Sequence, residues 1–507
     1  MGLTAILVFS AAALLGRALL AWRPAARRVL NAALLAAGVL AVYALQSSSP
    51  LRGADFWLPS LSIWLAVAAW LLARPSMPAA ATQPAAPVPP AGRRERLRPY
   101  APGVGALALV LLLGLTRYSA PLCCLGPSRP PALPALLPGL ALAAAAAALA
   151  AWLAAGRPHL AASSGIVLLL AALLALKTPA LALALSAGLR RLSGQSAALA
   201  APGDLAWVGF SYLAFRLVHT LREAQQGKLP ALRLDEFLIY ALFPAAYTAG
   251  PIDRAPRFIG ELRVLNGEAL PSRAAPAPAA PGEDLLAGGR RILGGVVKKF
   301  VLADSLALLA LNPENALQVQ STGWMWLLLL GYTLRIYLDF SGYTDIAIGI
   351  ARLLGLHLPE NFDRPYLKTN LTAFWNSWHI TLAQWFRAYY FNPFTRWLRS
   401  RPHKPPVWLV VLLAQFSTMA LIGLWHGVSW NFFAWGAWHG LGLFVHNRYS
   451  DWLRPRSAFL DERPALQRAA AATGWLLTFL FVALGWVWFA LPQPAQALAV
   501  LRTLFGG

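Results

Sequence analysis

Asn361–Ser400 reads NFDRPYLKTNLTAFWNSWHITLAQWFRAYYFNPFTRWLRS, and Leu421–His446 reads LIGLWHGVSWNFFAWGAWHGLGLFVH. The two runs hold four of the chain's eight histidines, His379, His426, His439 and His446, and both His379 and His426 directly follow a tryptophan. Imidazole is the side chain whose unperturbed pKa lies near neutrality, so a histidine in apolar surroundings is a candidate proton acceptor. The indole beside it supplies bulk, a low-polarity wall and one N–H donor. Plainer readings compete. A run rich in tryptophan, tyrosine and arginine also marks an interfacial segment, where the rings favour the headgroup level and arginine snorkels. His439 and His446, seven apart and so on one helical face, read as packing or hydrogen-bonding residues. For His426 the balance differs, because an ionisable group inside a membrane is costly and marks function by default.

Working outward, 58% of residues are hydrophobic and 12% charged, with a mean hydropathy of +0.54. Those values exclude a soluble globular protein and predict an all-α polytopic membrane protein. A formal net charge of +23 would point to nucleic acid in a soluble chain. Here it reads as basic loops that set topology and meet anionic lipid, with no nucleic acid partner. Cys123 and Cys124 are adjacent and show no metal-ligand spacing.

The first apolar segment, GLTAILVFSAAALLGRALLAW, is followed by Arg23, Arg27 and Arg28 rather than by a small-residue cleavage site, so it reads as a retained helix with its N terminus outside. Further spans are expected near 29–46, 55–73, 102–118, 132–155 and 160–192. The Pro/Ala/Arg-rich stretch 74–100 reads as a cytoplasmic linker within an N-terminal region, 1–200. Polar character returns in a second region, 201–507. There Arg216 is expected to face away from lipid, and Pro244, Gly250 and Pro251 to break a helix and form a re-entrant or cavity-lining backbone. The segment 264–286 reads as a surface loop, and Lys298 and Lys299 fall inside a helix. In LRIYLDFSGYTDIAIG, Arg335 and Asp339 are spaced to pair along one helix, and 340–343 are expected to interrupt it beside a polar cavity. An internal salt bridge holding helices together is the alternative use of these charges.

In order along the chain, FPAAYTAGPIDR, DFSGYTDIAIG, RPYLKTNLTAFWNSWHITLAQWFR, GLWHG and WVWFALPQPAQALAVLRTLFG resemble membrane-bound O-acyltransferases, in the bacterial branch of alginate O-acetylation and teichoic acid D-alanylation proteins. The likeness covers about 202–507. It implies a multi-pass protein of the bacterial cytoplasmic membrane, with a ring of helices around a tunnel. Through it an acyl group, such as acetyl, would pass from a thioester to a hydroxyl of a cell-envelope polysaccharide, lipid or partner protein. It also implies that His426 is the essential histidine and His379 the second one. His426 would act as general base, and no Ser or Cys nucleophile is needed. His379, read as sharing a helical face with Asn376, would orient the donor or stabilise the oxyanion.

The substrate is expected to meet Trp375, Asn376, Trp378 and Trp425, with Asp339, Ser341, Tyr343, Asp345, Arg364 and Tyr366 around it. The cavity would be bordered by 339–345, 366–387 and 424–431, in a domain of roughly ten to fourteen spans. No bound cofactor or metal is implied. Acyl-CoA or an acyl carrier protein would be the co-substrate, with the lipid bilayer and an extracytoplasmic acyltransferase or esterase-like protein as further partners. Two departures from the family pattern stand out: Arg387-Ala388, where relatives carry Arg-Asp, and Ala490, where relatives often have arginine. With its end at Gly507, the sequence is expected to lack the extra C-terminal spans of some relatives. The rival functions are a transporter or flippase, whose inverted repeats are not evident, and a catalytically silent subunit of a polysaccharide-modification complex.

Overall fold

The computed structural model describes residues 2–22, 27–77, 100–121, 123–268, 281–456 and 463–507. Most of the expected 74–100 linker, and the centre of the 264–286 loop, lie outside the described residues. The protein is 78% helical. Six helices among the described residues are long and apolar enough to cross a membrane: Ala54–Ser76, Ala101–Tyr118, Leu133–Gly156, Pro158–Lys177, Val407–His426 and Pro464–Ala490. Leu3–Ala18 and Val29–Ala44 are shorter apolar helices. The longest helix, Thr322–Leu354, has 33 residues; with Arg335, Asp339 and Asp345 in it, it falls outside the six.

Proline sets several boundaries, because at the first helical position its missing N–H costs nothing and its fixed φ suits the helix. Pro158, Pro179, Pro464 and Pro494 all open helices. Pro179 is also why the expected span 160–192 is in fact two helices, Pro158–Lys177 and Pro179–Leu192.

The chain forms two compact units, Met1–Ile292 with Ala347–Leu358, and Leu293–Ile346 with Pro359–Gly507. In the first, the helix Leu234–Ala241 stops short of a single turn, Pro244–Tyr247. The broken segment is enclosed by protein, with Leu242, Ala245, Ala246 and Tyr247 buried. Carbonyls freed by such a break need donors when no water is at hand. Arg216, 2% exposed, provides them by donating to the carbonyls of Tyr240 (3.3 Å), Ala241 (3.0 Å) and Ala246 (2.7 Å).

In the second unit two expectations fail. Residues 340–343 do not interrupt the helix, which runs unbroken from Thr322 to Leu354. Gly342 serves close packing instead: a Cβ there would lie 2.8 Å from the Gly295 carbonyl oxygen and 2.9 Å from the Lys299 nitrogen. Nor do Arg335 and Asp339 pair. Asp339 takes Lys299, and Asp345 takes Lys298 at 2.6 Å. Both lysines sit on a π-helical stretch, Val297–Ala303, whose backbone the glycine contact brings against the aspartates' helix. The internal salt bridge is thus realised, with different partners.

Candidate functional site

The two histidines reach the second unit by unlike routes. His379 stands between two short helices, Leu371–Trp375 and Ile380–Phe386, with φ 43° and ψ 52°. A non-glycine residue in this left-handed region is uncommon, though histidine is among the types enriched there. It is held from across the chain. Asp363 N–H donates to the Ser377 carbonyl at 3.0 Å, Ile380 N–H donates to the Asn361 carbonyl at 2.9 Å, and Phe362 bridges to Trp378. Asn376 therefore does not share a helical face with His379: it ends the preceding helix, is exposed, and accepts from Arg387 at 2.6 Å.

Asn361, fully buried, fixes the His379 ring. Its Oδ1 accepts from the Thr381 backbone N–H at 3.2 Å and from the Thr381 hydroxyl at 2.9 Å, and lies 3.1 Å from His379 Nδ1. An amide oxygen only accepts, so Nδ1 carries the proton and, in the neutral ring, Nε2 bears the lone pair.

His426 is the last residue of Val407–His426 and is half-buried. After the turn, Ser429 caps Trp430–Leu453 by accepting from the Phe432 N–H at 3.3 Å. This hairpin folds aromatic rings around the imidazole: Trp425 at 4.6 Å between centroids, Phe489 at 4.8 Å, Trp435 at 5.7 Å and Phe432 at 5.9 Å. The Trp425 indole is also 6.4 Å from His379, whose ring meets Phe340 edge-on at 4.7 Å. One indole thus stands against both imidazoles, inside an apolar box drawn from four separated segments.

The other expected residues divide. Trp375 is buried against Trp435 and His439, beside the box. Trp378 and Tyr366 form an adjoining aromatic cluster with Trp486; the Tyr366 hydroxyl donates to the Thr333 carbonyl at 2.8 Å and accepts from Trp486 Nε1 at 3.1 Å. Ser341 and Tyr343 are buried on Thr322–Leu354. Asp339 and Asp345 take the lysines already described. Arg364 is exposed, with φ 44°. A cavity of about 150 Å³ is lined by Thr372, Trp375, Asn376, Arg387, Gln415 and Thr418, among others. Its lining comes from 372–391, 415–422 and Leu443, and it overlaps the expected 366–387 border.

His439 is fully buried among Trp375, Trp435 and Phe481, and neither ring nitrogen has a hydrogen-bond partner among the described residues. It packs. His446 does hydrogen-bond, to the Thr372 hydroxyl at 3.1 Å and the Ser450 hydroxyl at 3.3 Å. Sequence reasoning missed Asn361, Phe340, Phe432, Trp435 and Phe489. Nothing in the sequence joins them, since they reach the site from separate parts of the chain, with only Phe432 and Trp435 sharing a helix.

The sequence pattern of MBOAT, the membrane-bound O-acyltransferase family, matches residues 163–483. Among curated proteins, a probable alginate O-acetylase AlgI of Pseudomonas syringae pv. tomato is 33% identical over 288 residues, covering 56% of this chain and 48% of that protein. A teichoic acid D-alanyltransferase of Streptococcus thermophilus is 32% identical, over 51% of this chain and 60% of its own length. A peptidoglycan O-acetyltransferase of Helicobacter pylori is 33% identical, over 54% and 47%. The chain spans about half the length of the curated relatives it matches.

Proposed function

Because the chain belongs to the membrane-bound O-acyltransferase family, a family of multi-pass membrane proteins, we propose that it transfers an acyl group from a thioester to a hydroxyl of a cell-envelope polymer. Acetyl is the acyl group we favour. The observation that carries the reading is the pair of imidazoles that share contact with the Trp425 indole, one with its tautomer fixed by Asn361. His426 is the general base. It takes the acceptor's proton as the hydroxyl oxygen attacks the thioester carbonyl, and it returns that proton to the sulfur as the C–S bond breaks. The surrounding aromatic rings keep water from competing for the acyl group.

His379 orients the acceptor. With Nδ1–H given to Asn361, its Nε2 accepts rather than donates, which favours holding a hydroxyl over stabilising an oxyanion. Trp375, Trp378, Trp425 and Tyr366 form apolar walls, Asn376 with Arg387 offers polar contacts beside them, and we propose Asp339, Ser341, Tyr343, Asp345 and Arg364 as further substrate contacts. The donor is acyl-CoA or an acyl carrier protein, and an extracytoplasmic acyltransferase or esterase-like protein is a further partner. The lysine partners of Asp339 and Asp345 account for charges that would otherwise favour a transporter.

The test follows a labelled acyl group from thioester to polymer hydroxyl in membranes containing the protein and its partners. His426→Ala is expected to fold normally and to lose about two to four orders of magnitude in transfer. His426→Gln is not expected to restore it, because an amide hydrogen-bonds but takes up no proton. Near wild-type turnover in a well-folded His426→Ala protein overturns the assignment.

A further inference from the structure

Within the first unit, a crevice of about 1180 Å³ lies among Ala54–Ala73, Leu133–Gly156, Pro158–Lys177 and Phe210–Gln225. We propose that it holds one diacyl phospholipid with an anionic headgroup, its chains in the crevice and its phosphate at Arg157.

Three observations point to that occupant. The walls are apolar, with Leu65, Leu149, Leu153, Leu168 and Leu221 among them, and Arg157 is the charged residue in the lining. The crevice is larger than the roughly 300–1,000 Å³ of ordinary small-molecule sites, which suits two acyl chains.

Its length matches one leaflet. Along Leu133–Gly156 the lining runs from Ala146 to Gly156, and at 1.5 Å per residue that is about 15 Å, half of a hydrocarbon core of about 30 Å. Arg157 follows at the end of this path, where a headgroup would lie.

The rim carries the complementary charge. Gln225 Nε2 donates to the His159 carbonyl at 3.0 Å and to the Ser163 hydroxyl at 2.8 Å. Those bonds bring the end of Phe210–Gln225, with exposed Arg222, to the same rim as Arg157. Among the described residues neither arginine has an acidic partner. At Gly165 a Cβ would come within 2.8 Å of Leu72, so the glycine lets the helices meet closely at the floor of the crevice.

The experiment reconstitutes the full chain in discs of equal phosphatidylglycerol and phosphatidylcholine, extracts it gently, and counts retained lipids by native mass spectrometry. One phosphatidylglycerol per chain is expected. Arg157→Gln with Arg222→Gln is expected to keep a lipid but reduce the headgroup preference by about fivefold to thirtyfold, from roughly 1 kcal/mol per arginine near the surface. Ala150→Trp fills the crevice and is expected to abolish retention; Ala172→Trp, on the facing helix, serves if the first variant unfolds on heating earlier than wild type. Equal retention of both lipids by the wild type, or undiminished retention by a folded filling variant, overturns the proposal. None of these readouts depends on acyl transfer.

Discussion

His379 is held in place from 18 residues upstream: the backbone and side chain of Asn361 and the bridge at Phe362 set its unusual φ and its ring. The sequence displayed both residues but not this dependence, because a long-range hydrogen bond leaves no periodic trace. Asn361→Leu would leave the Thr381 N–H, the Thr381 hydroxyl and the His379 Nδ1–H without their acceptor. A buried donor stranded in this way costs about 1–3 kcal/mol, so thermal unfolding in detergent is expected several degrees below wild type. Asn361→Asp keeps an acceptor oxygen and is expected to lie much closer to wild type. If the leucine variant melts with the wild type, Asn361 does not position the histidine.

The helical hairpin that presents His426 shows why some elements were legible and others not. Its apolar runs could be read directly. The approach of its two arms could not. A Cβ at Gly423 would lie 2.1 Å from the Phe432 carbonyl oxygen, and one at Gly436 would lie 2.4 Å from that of Met419. Such close backbone contact is how small residues let membrane helices associate. In sequence a glycine signals either a break or a contact, and this ambiguity produced the erroneous interruption at 340–343. Gly436→Val is expected to push the arms apart, lowering both the unfolding temperature and acyl transfer, whereas Leu441→Val at an exposed position of the same helix is expected to change neither. Equal behaviour of the two variants would show that the hairpin tolerates the wider spacing.

For the whole molecule, composition was the surest guide. A chain so apolar and so poor in charge has the bilayer as its solvent, and the helical, multi-pass architecture agrees. The number of spans was harder to read, because proline divides one apolar run and charged residues disguise the longest helix. From the distribution of arginine, at 23–28 and across 74–100, we propose that both stretches face the cytoplasm. Cysteines introduced at Ser76 and Gln83, in a protein whose own cysteines are replaced, are expected to resist an impermeant maleimide applied to intact cells and to react once the cells are opened. Ready labelling from outside would invert the orientation.

The indole that meets two imidazoles has an optical consequence. A protonated imidazole quenches the emission of a nearby indole, while a neutral one does so weakly. Trp425, with the His426 centroid 4.6 Å from its own, therefore makes the site its own indicator. The difference in emission between the wild type and Trp425→Phe, recorded as acid is added, reports how many protons the neighbouring rings hold, and it does so without acyl donor or acceptor.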